Sequence, residues 1–152
     1  MNVQYFSCPF GHLVLGEDEQ GICLLRPGPA PVDARLLQTP LLDAAATQLH
    51  EYFEGQRTSF DLPLSLHGTP FQKACWAALR TIPYGETRSY AQQAAAVGRP
   101  HAWRAVGMAN HVNPVMIFVP CHRVIGSNGK LTGYAGGLPF KRFLLDLERA
   151  HI

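Results

Sequence analysis

Charge is sparse in this 152-residue chain: only 16% of its residues are Asp, Glu, Lys or Arg. With 47% hydrophobic residues it can bury a core, which excludes a disordered, solvating polyelectrolyte. Cysteine is scarce as well. Cys8, Cys23, Cys75 and Cys121 have no short-range pairing, which argues against a disulfide-stapled framework. Cys8, Cys23, His12 and His50 lack the close ligand spacing of a structural zinc site, so no metal is expected. No apolar run approaches the roughly 20 residues of a membrane span, and no basic-then-apolar leader opens the chain. These absences lead us to expect a soluble, cytoplasmic monomer with free thiols, no membrane partner and no cofactor.

What charge there is divides unevenly. Residues 1–66 carry three basic side chains against eight acidic ones, and residues 67–152 carry ten basic against three acidic. A basic half beside an acidic half suits a polyanion-binding domain with a neutralising companion. A mixed solvated surface would read the same way.

The most informative stretch is Val119-Pro120-Cys121-His122-Arg123-Val124-Ile125. It follows the apolar residues 115–119, whose β-branched and aromatic content predicts a buried strand. Pro120 has no N–H for a ladder and should end that strand. Cys121 is then held where a rigid element opens into a turn, a placement that suits a nucleophile. Taken alone, Cys121 is equally a buried thiol. His122 is the adjacent residue, and in an extended chain neighbours point to opposite sides. Direct contact between the two side chains requires the backbone to turn after Pro120.

The first 66 residues read as a small antiparallel meander followed by a helix. Short runs at 3–7, 12–16 and 22–25 are broken by turn residues. Three prolines between 26 and 31 predict a loop. Thr39-Pro40 starts a helix with a cap and a first-turn proline, Leu41, Leu42, Ala45, Leu49, Tyr52 and Phe53 share a face, and Gly55 ends it. The second half is mostly helical. Thr69 with Gln72, and Ser89 with Gln92, have capping-box spacing. The first of these helices should bury Phe71, Ala74, Cys75, Ala78 and Leu79. A break at Gly98-Arg99-Pro100 separates the helix after Ser89 from another over 101–110, the pattern of a helix-turn-helix. The small residues of that second helix suit close approach to another helix or to a DNA groove. Pro139 begins a last helix with Phe140, Phe143, Leu144 and Leu147 as its stripe. The fold class is therefore α+β: a scaffold domain over residues 1–66, and over residues 67–152 a winged-helix-like domain with the helix-turn-helix.

Several motifs in order extend this reading: Gly68-Thr69-Pro70-Phe71-Gln72, Ile82-Pro83-Tyr84-Gly85-Glu86-Thr87, Ser89-Tyr90, Arg104-Ala105-Val106-Gly107, Asn113-Pro114-Val115, Pro120-Cys121-His122-Arg123-Val124-Ile125-Gly126, Thr132-Gly133-Tyr134-Ala135-Gly136-Gly137, and Lys141 with Leu144, Leu145 and Glu148. Together they resemble the O6-alkylguanine-DNA alkyltransferases, closely over residues 68–148 and more loosely before. The resemblance implies a protein that binds double-stranded DNA carrying alkylated guanine and moves the alkyl group irreversibly onto Cys121. By the same match, His122 takes the thiol proton through a water, and Glu148 holds the imidazole. Asn113 braces the turn, Tyr134 stabilises the departing base, and Arg123 supports the surrounding fold. Tyr90, Ala91, Arg99, Arg104 and Ser127 fall at the DNA, with Arg104 entering the base stack from the minor groove as the lesion swings out. Met116 and the Tyr134 loop should border the alkyl group. Two features depart from the family. Ala135 stands where some relatives have serine, and Trp103 where a small residue is usual, so the indole either meets the groove or packs inward. A lesion sensor without transfer chemistry is the rival, but such sensors lack the cysteine. A cysteine hydrolase would leave the helix-turn-helix unexplained.

Overall fold

A computed structural model describes residues 1–152. The chain divides into two compact units, Met1–His67 and Gly68–Ile152.

In the first unit, β1 (Asn2–Cys8), β2 (Gly11–Glu17) and β3 (Ile22–Pro27) form the expected meander. Its edge differs from expectation. A short β4 (Arg35–Leu36) adds beside β1 in parallel, giving the order β3-β2-β1-β4. The sheet is thus mixed, because the proline-rich loop carries the chain back along β1. Strand β3 also runs on to Pro27, tolerated because β3 is an edge. At the turn before β3, a Cβ on Gly21 would lie 2.5 Å from the Pro63 carbonyl oxygen, so glycine alone admits residues 63–65 beside Ile22. Helix α1 (Pro40–Phe53) begins at Thr39, whose side chain accepts from the Leu42 N–H, and buries Leu42, Ala45, Leu49 and Tyr52. Those side chains and Leu13, Leu15 and Leu25 are essentially inaccessible. Val3, Val14 and Leu24 form a further buried cluster.

The second unit begins with α2 (Pro70–Leu79) and α3 (Tyr90–Ala96), each opened by a complete capping box. Helix α4 (Trp103–His111) follows, and Cys75, Ala94, Val106 and Ala109 pack together at the centre of the three. Gln93 and Asn110 exchange amide hydrogen bonds of 2.8 and 2.7 Å inside this bundle, leaving neither amide unsatisfied there. The buried face of α2 includes Trp76 where Ala74 and Ala78 were expected. Its indole N–H donates to the Ala109 carbonyl at 2.9 Å, and that partner allows the ring inside. No helix is long and apolar enough to cross a membrane.

Residues 115–119 are buried but do not form the predicted strand. They fold into a tight turn: Val119 N–H donates to the Val115 carbonyl at 3.0 Å, and Ile117 has φ +75°. An apolar run of this length is compatible with any fully buried backbone, and here burial rather than ladder pairing accounts for the composition. A β-branched residue at positive φ costs about 1–3 kcal/mol, held in place by the surrounding packing. Cys121–Arg123 then form one 3-10 turn, and β6 (Val124–Ile125) pairs in parallel with β5 (Arg88–Ser89). That pairing sets the cysteine turn beside the start of α3. Helix α5 (Leu138–Ala150) closes the unit. Its buried face holds Phe140 and Leu144 as expected, but Lys141, Leu145 and Glu148 take the places predicted for Phe143 and Leu147.

Candidate active site and nucleic-acid surface

The 3-10 turn answers the question the sequence left open, for the backbone bends directly after Pro120. Cys121 is 9% exposed and His122 is wholly enclosed. The turn is braced by Asn113, whose amide donates to the Val119 carbonyl at 2.8 Å and whose oxygen accepts from the Val115 N–H at 3.0 Å. Burial pushes the Cys121 thiol up, opposed by a hydrogen bond from Asn113 and by the charge of Lys141.

Glu148, one face of α5, is the electrostatic centre. Its Oε2 lies 2.6 Å from His122 Nε2 and accepts from Arg123 Nη2 at 3.0 Å, while Oε1 accepts from Arg123 Nε at 2.8 Å and Gly85 N–H at 3.1 Å. Burial alone would raise this carboxyl, but the bonds and charges of His122 and Arg123 outweigh it and hold the pKa at about 2. The carboxylate is therefore ionised and can only accept. It follows that Nε2 of a neutral His122 carries the proton, leaving Nδ1 as an acceptor. Nδ1 is buried with no protein hydrogen-bond partner. Burial lowers the imidazole's pKa against the opposing pull of Glu148, so the ring is neutral near pH 7.

Cys121 opens on a cleft of about 410 Å³, lined also by Tyr90, Thr132, Gly133, Tyr134 and Ala135, and by Gly107 and Met108 of α4. Burial, with Cys121 and Glu148 nearby, pushes the Tyr134 hydroxyl well up, so it stays protonated. That hydroxyl too is buried without a protein partner. Met116 does not line the cleft as expected. It lies under the loop, where a Cβ on Gly136 would come within 2.9 Å of its Cε and of the Phe140 ring.

The residues expected at DNA are gathered only in part. Tyr90, Ala91 and Ser127 share a depression of about 310 Å³ with Trp103 and Thr132. Arg104 is exposed, its guanidinium 4.9 Å from the centre of the Trp103 ring. Trp103 is 48% exposed, so it does not pack inward. Arg99 stands apart from both hollows, over the Phe71 ring at 5.4 Å. No three His, Cys, Asp or Glu side chains form a group that could hold a metal ion.

Sequence reasoning undervalued two residues here. Arg123, expected to support the surrounding fold, makes two bonds to the Glu148 carboxylate and a third to the Ile82 carbonyl at 2.7 Å. Its position inside a run of buried residues was the available signal. For Lys141 the signal lay in the helical period: 141, 145 and 148 share one face with a glutamate at its end.

Comparison with known proteins bears on this arrangement. Two family models match: the ribonuclease-like domain of 6-O-methylguanine DNA methyltransferase over residues 1–66, and its DNA-binding domain over residues 70–150. A methylated-DNA–protein-cysteine methyltransferase of Methanosarcina acetivorans is 49% identical over 148 residues, covering 94% of this chain and 95% of that protein. The constitutive one of Bacillus subtilis is 53% identical over 150 residues, covering 93% and 91%. The crystal structure of Mycobacterium tuberculosis OGT in complex with DNA aligns with a TM-score of 0.93 at 45% identity, over 99% of this chain and 94% of that one.

Proposed function

The chain belongs to the 6-O-methylguanine DNA methyltransferase family and repairs DNA by transferring an alkyl group to its own cysteine; from that premise we propose that the acceptor is Cys121 and the substrate O6-alkylguanine in double-stranded DNA. The observation that carries the reading is the enclosed pair of His122 and an ionised Glu148, set directly after a cysteine that opens on a cleft beside the helix-turn-helix. In this reading residues 1–66 are scaffold and residues 67–152 bind DNA and carry the chemistry, as a cytoplasmic monomer.

The lesion base swings out of the duplex into the cleft, because its O6 substituent is out of reach of a thiol while stacked. Tyr90, Ala91, Arg99 and Ser127 meet the backbone, and Arg104 fills the space left in the stack. The thiol proton passes, through a bridging water, to His122 Nδ1, and Glu148 stabilises the resulting imidazolium. Sulfur attacks the alkyl carbon. A C–S bond forms as the C–O6 bond breaks, and the electron pair departs with the base. Tyr134 meets that charge by a hydroxyl hydrogen bond to a ring nitrogen, while backbone N–H groups near Ala135 serve O6 where no side-chain hydroxyl stands. The base recovers the proton, leaving guanine and a thioether. Nothing here breaks a thioether, so each molecule acts once.

The test is intact-mass spectrometry after incubation with duplex carrying O6-methylguanine. One methyl per chain, mapped to the Cys121 peptide, is expected. Cys121→Ala should bind the duplex and gain nothing. Repeated turnover, or an adduct on Cys8, Cys23 or Cys75, would contradict the assignment.

A further inference from the structure

The transfer chemistry employs His122, Glu148 and Tyr134, whereas Lys141 is just as deeply enclosed, at 0% exposure, and has no part in it. Its ammonium donates to the Thr132 carbonyl at 2.9 Å and the Gly133 carbonyl at 3.3 Å. The Thr132 carbonyl also accepts from the Tyr90 hydroxyl at 3.0 Å, and Nζ lies 5.9 Å from the centre of that tyrosine ring. Thr132, Gly133 and Tyr90 all line the cleft that Cys121 opens on. Burial lowers the lysine's pKa to about 8, with Cys121 pulling the other way.

The partners of this ammonium are neutral carbonyls rather than a carboxylate, so little offsets its desolvation. A methionine would fill the same volume without that penalty. A cation kept at such a site, next in sequence to Phe140 under the loop and near enough to Cys121 for their charges to interact, is a mark of function rather than of stability. We propose that Lys141 is a positioning residue: it pins the Thr132 and Gly133 wall of the cleft, so that Tyr134 stands opposite Cys121, and its charge favours the thiolate. This rests on the alkyl-transfer reading and adds to it a residue that touches neither the base nor the alkyl group. The ionisable groups that interact with it are Cys121 and His122 from the 3-10 turn and Tyr90 from α3; Tyr134 from the loop and Glu148 from its own helix act on it through Cys121 and His122.

Two measurements separate positioning from simple support: the single-turnover transfer rate against concentration of O6-methylguanine duplex, and the pH dependence of Cys121 alkylation by iodoacetamide, followed by peptide mapping. For Lys141→Met the saturating rate should fall at least about tenfold with little change in the half-saturating DNA concentration. The Cys121 alkylation midpoint should move to higher pH, while the thermal midpoint stays level or rises. Lys141→Arg, retaining charge but not shape, should keep the alkylation midpoint near wild type and still transfer slowly. A folded Lys141→Met with wild-type rate and unmoved midpoint overturns the proposal. If Lys141→Met does not fold, Lys141→Gln is read by the same two criteria. Wild-type protein that transferred no methyl would sink the alkyl-transfer reading, while the thiol titration would still report the link between Lys141 and Cys121.

Discussion

Side chains enclosed in the unit Met1–His67 are almost all hydrocarbon, Ser65 and the Tyr52 hydroxyl excepted; the unit Gly68–Ile152 also encloses Gln93, Asn110, His122, Arg123, Lys141 and Glu148. Both units nevertheless set a histidine beside an acid. Asp18, Ser65 and His67 in the first even assemble a serine, a histidine and an acid. There, however, a single ring nitrogen, His67 Nε2, lies 3.0 Å from both Ser65 Oγ and Asp18 Oδ2, and most of the imidazole is in solvent. The group is a clasp on the turn before β3. In the second unit the two imidazole nitrogens are kept apart, Nε2 to Glu148 and Nδ1 toward no protein group. In the proposed mechanism that difference leaves one cluster structural and lets the other take up a proton. Residue types do not supply that; burial and the division of the ring's two nitrogens do.

The sharpest way to break the comparison is to remove the acid from each cluster. Glu148→Ala leaves Arg123 and His122 enclosed without their counter-charge, and should cost about 3–5 kcal/mol in urea unfolding and nearly all of the transfer activity. Asp18→Ala loses a partly solvated acceptor; the exposed His67 can turn to water and the Ser65 hydroxyl keeps His67 as a partner, so the change should cost about 1 kcal/mol with transfer unimpaired. Equal losses for the two would mean that enclosure is not the distinction. Leu49→Ala supplies the complementary case. It hollows the hydrocarbon core under α1 and should cost about 2–5 kcal/mol, yet the transfer rate of the folded protein should hold.

Acidification should separate the units in a second way. Asp18 and Glu148 both have carboxyls held at about 2, so each contributes stability that is complete above the unfolded values, 3.8 and 4.5, and lost as pH falls toward 2. His122 acts earlier. Its folded pKa lies below 6.5, so beneath that value the unfolded chain takes up a proton that the folded one refuses, and stability drops as pH falls until the folded ring also titrates. Amide hydrogen exchange should therefore accelerate in α5 at a higher pH than in β2. Simultaneous loss in both, beginning only near pH 4, would remove His122 from the account.

Much of this contrast is legible in the sequence. The caps at Thr39, Thr69 and Ser89 are local chemistry, settled by a side-chain oxygen and an N–H a few residues away, and the helices start where those residues stand. Cys121, His122 and Glu148 stood out as motifs, and the structure joins the histidine to the glutamate. The strand expected over residues 115–119 was not there, because full burial erases the alternation that distinguishes a strand from a turn. β4 was missed because a two-residue parallel pairing depends on where a distant loop returns. Arg123 and Lys141 were underread for a related reason. A charged side chain is ordinarily a surface residue, and only the tertiary partner, Glu148 for one and the Thr132 and Gly133 carbonyls for the other, reveals that it is inside.

The smallest expected effect concerns a residue that lies in the second unit yet behaves as surface. Trp103 and Arg104 are sequence neighbours on a helix, where consecutive side chains diverge by about 100°. For the guanidinium to lie 4.9 Å from the centre of the indole, Arg104 must fold sideways along the helix. An exposed cation–π contact of this kind is worth about 0.5–1 kcal/mol. If the contact limits the wandering of the arginine before DNA arrives, less ordering remains to be done on insertion. Trp103→Ala should then slow repair of O6-methylguanine in duplex about two- to fivefold and leave reaction with free O6-benzylguanine unchanged. Trp103→Phe should recover part of the loss. In an Arg104→Ala background the substitution of Trp103 should have no further effect. A full additional loss in that background would show that the indole meets DNA on its own account, and a faster Trp103→Ala would show that the ring restrains the arginine from entering the duplex.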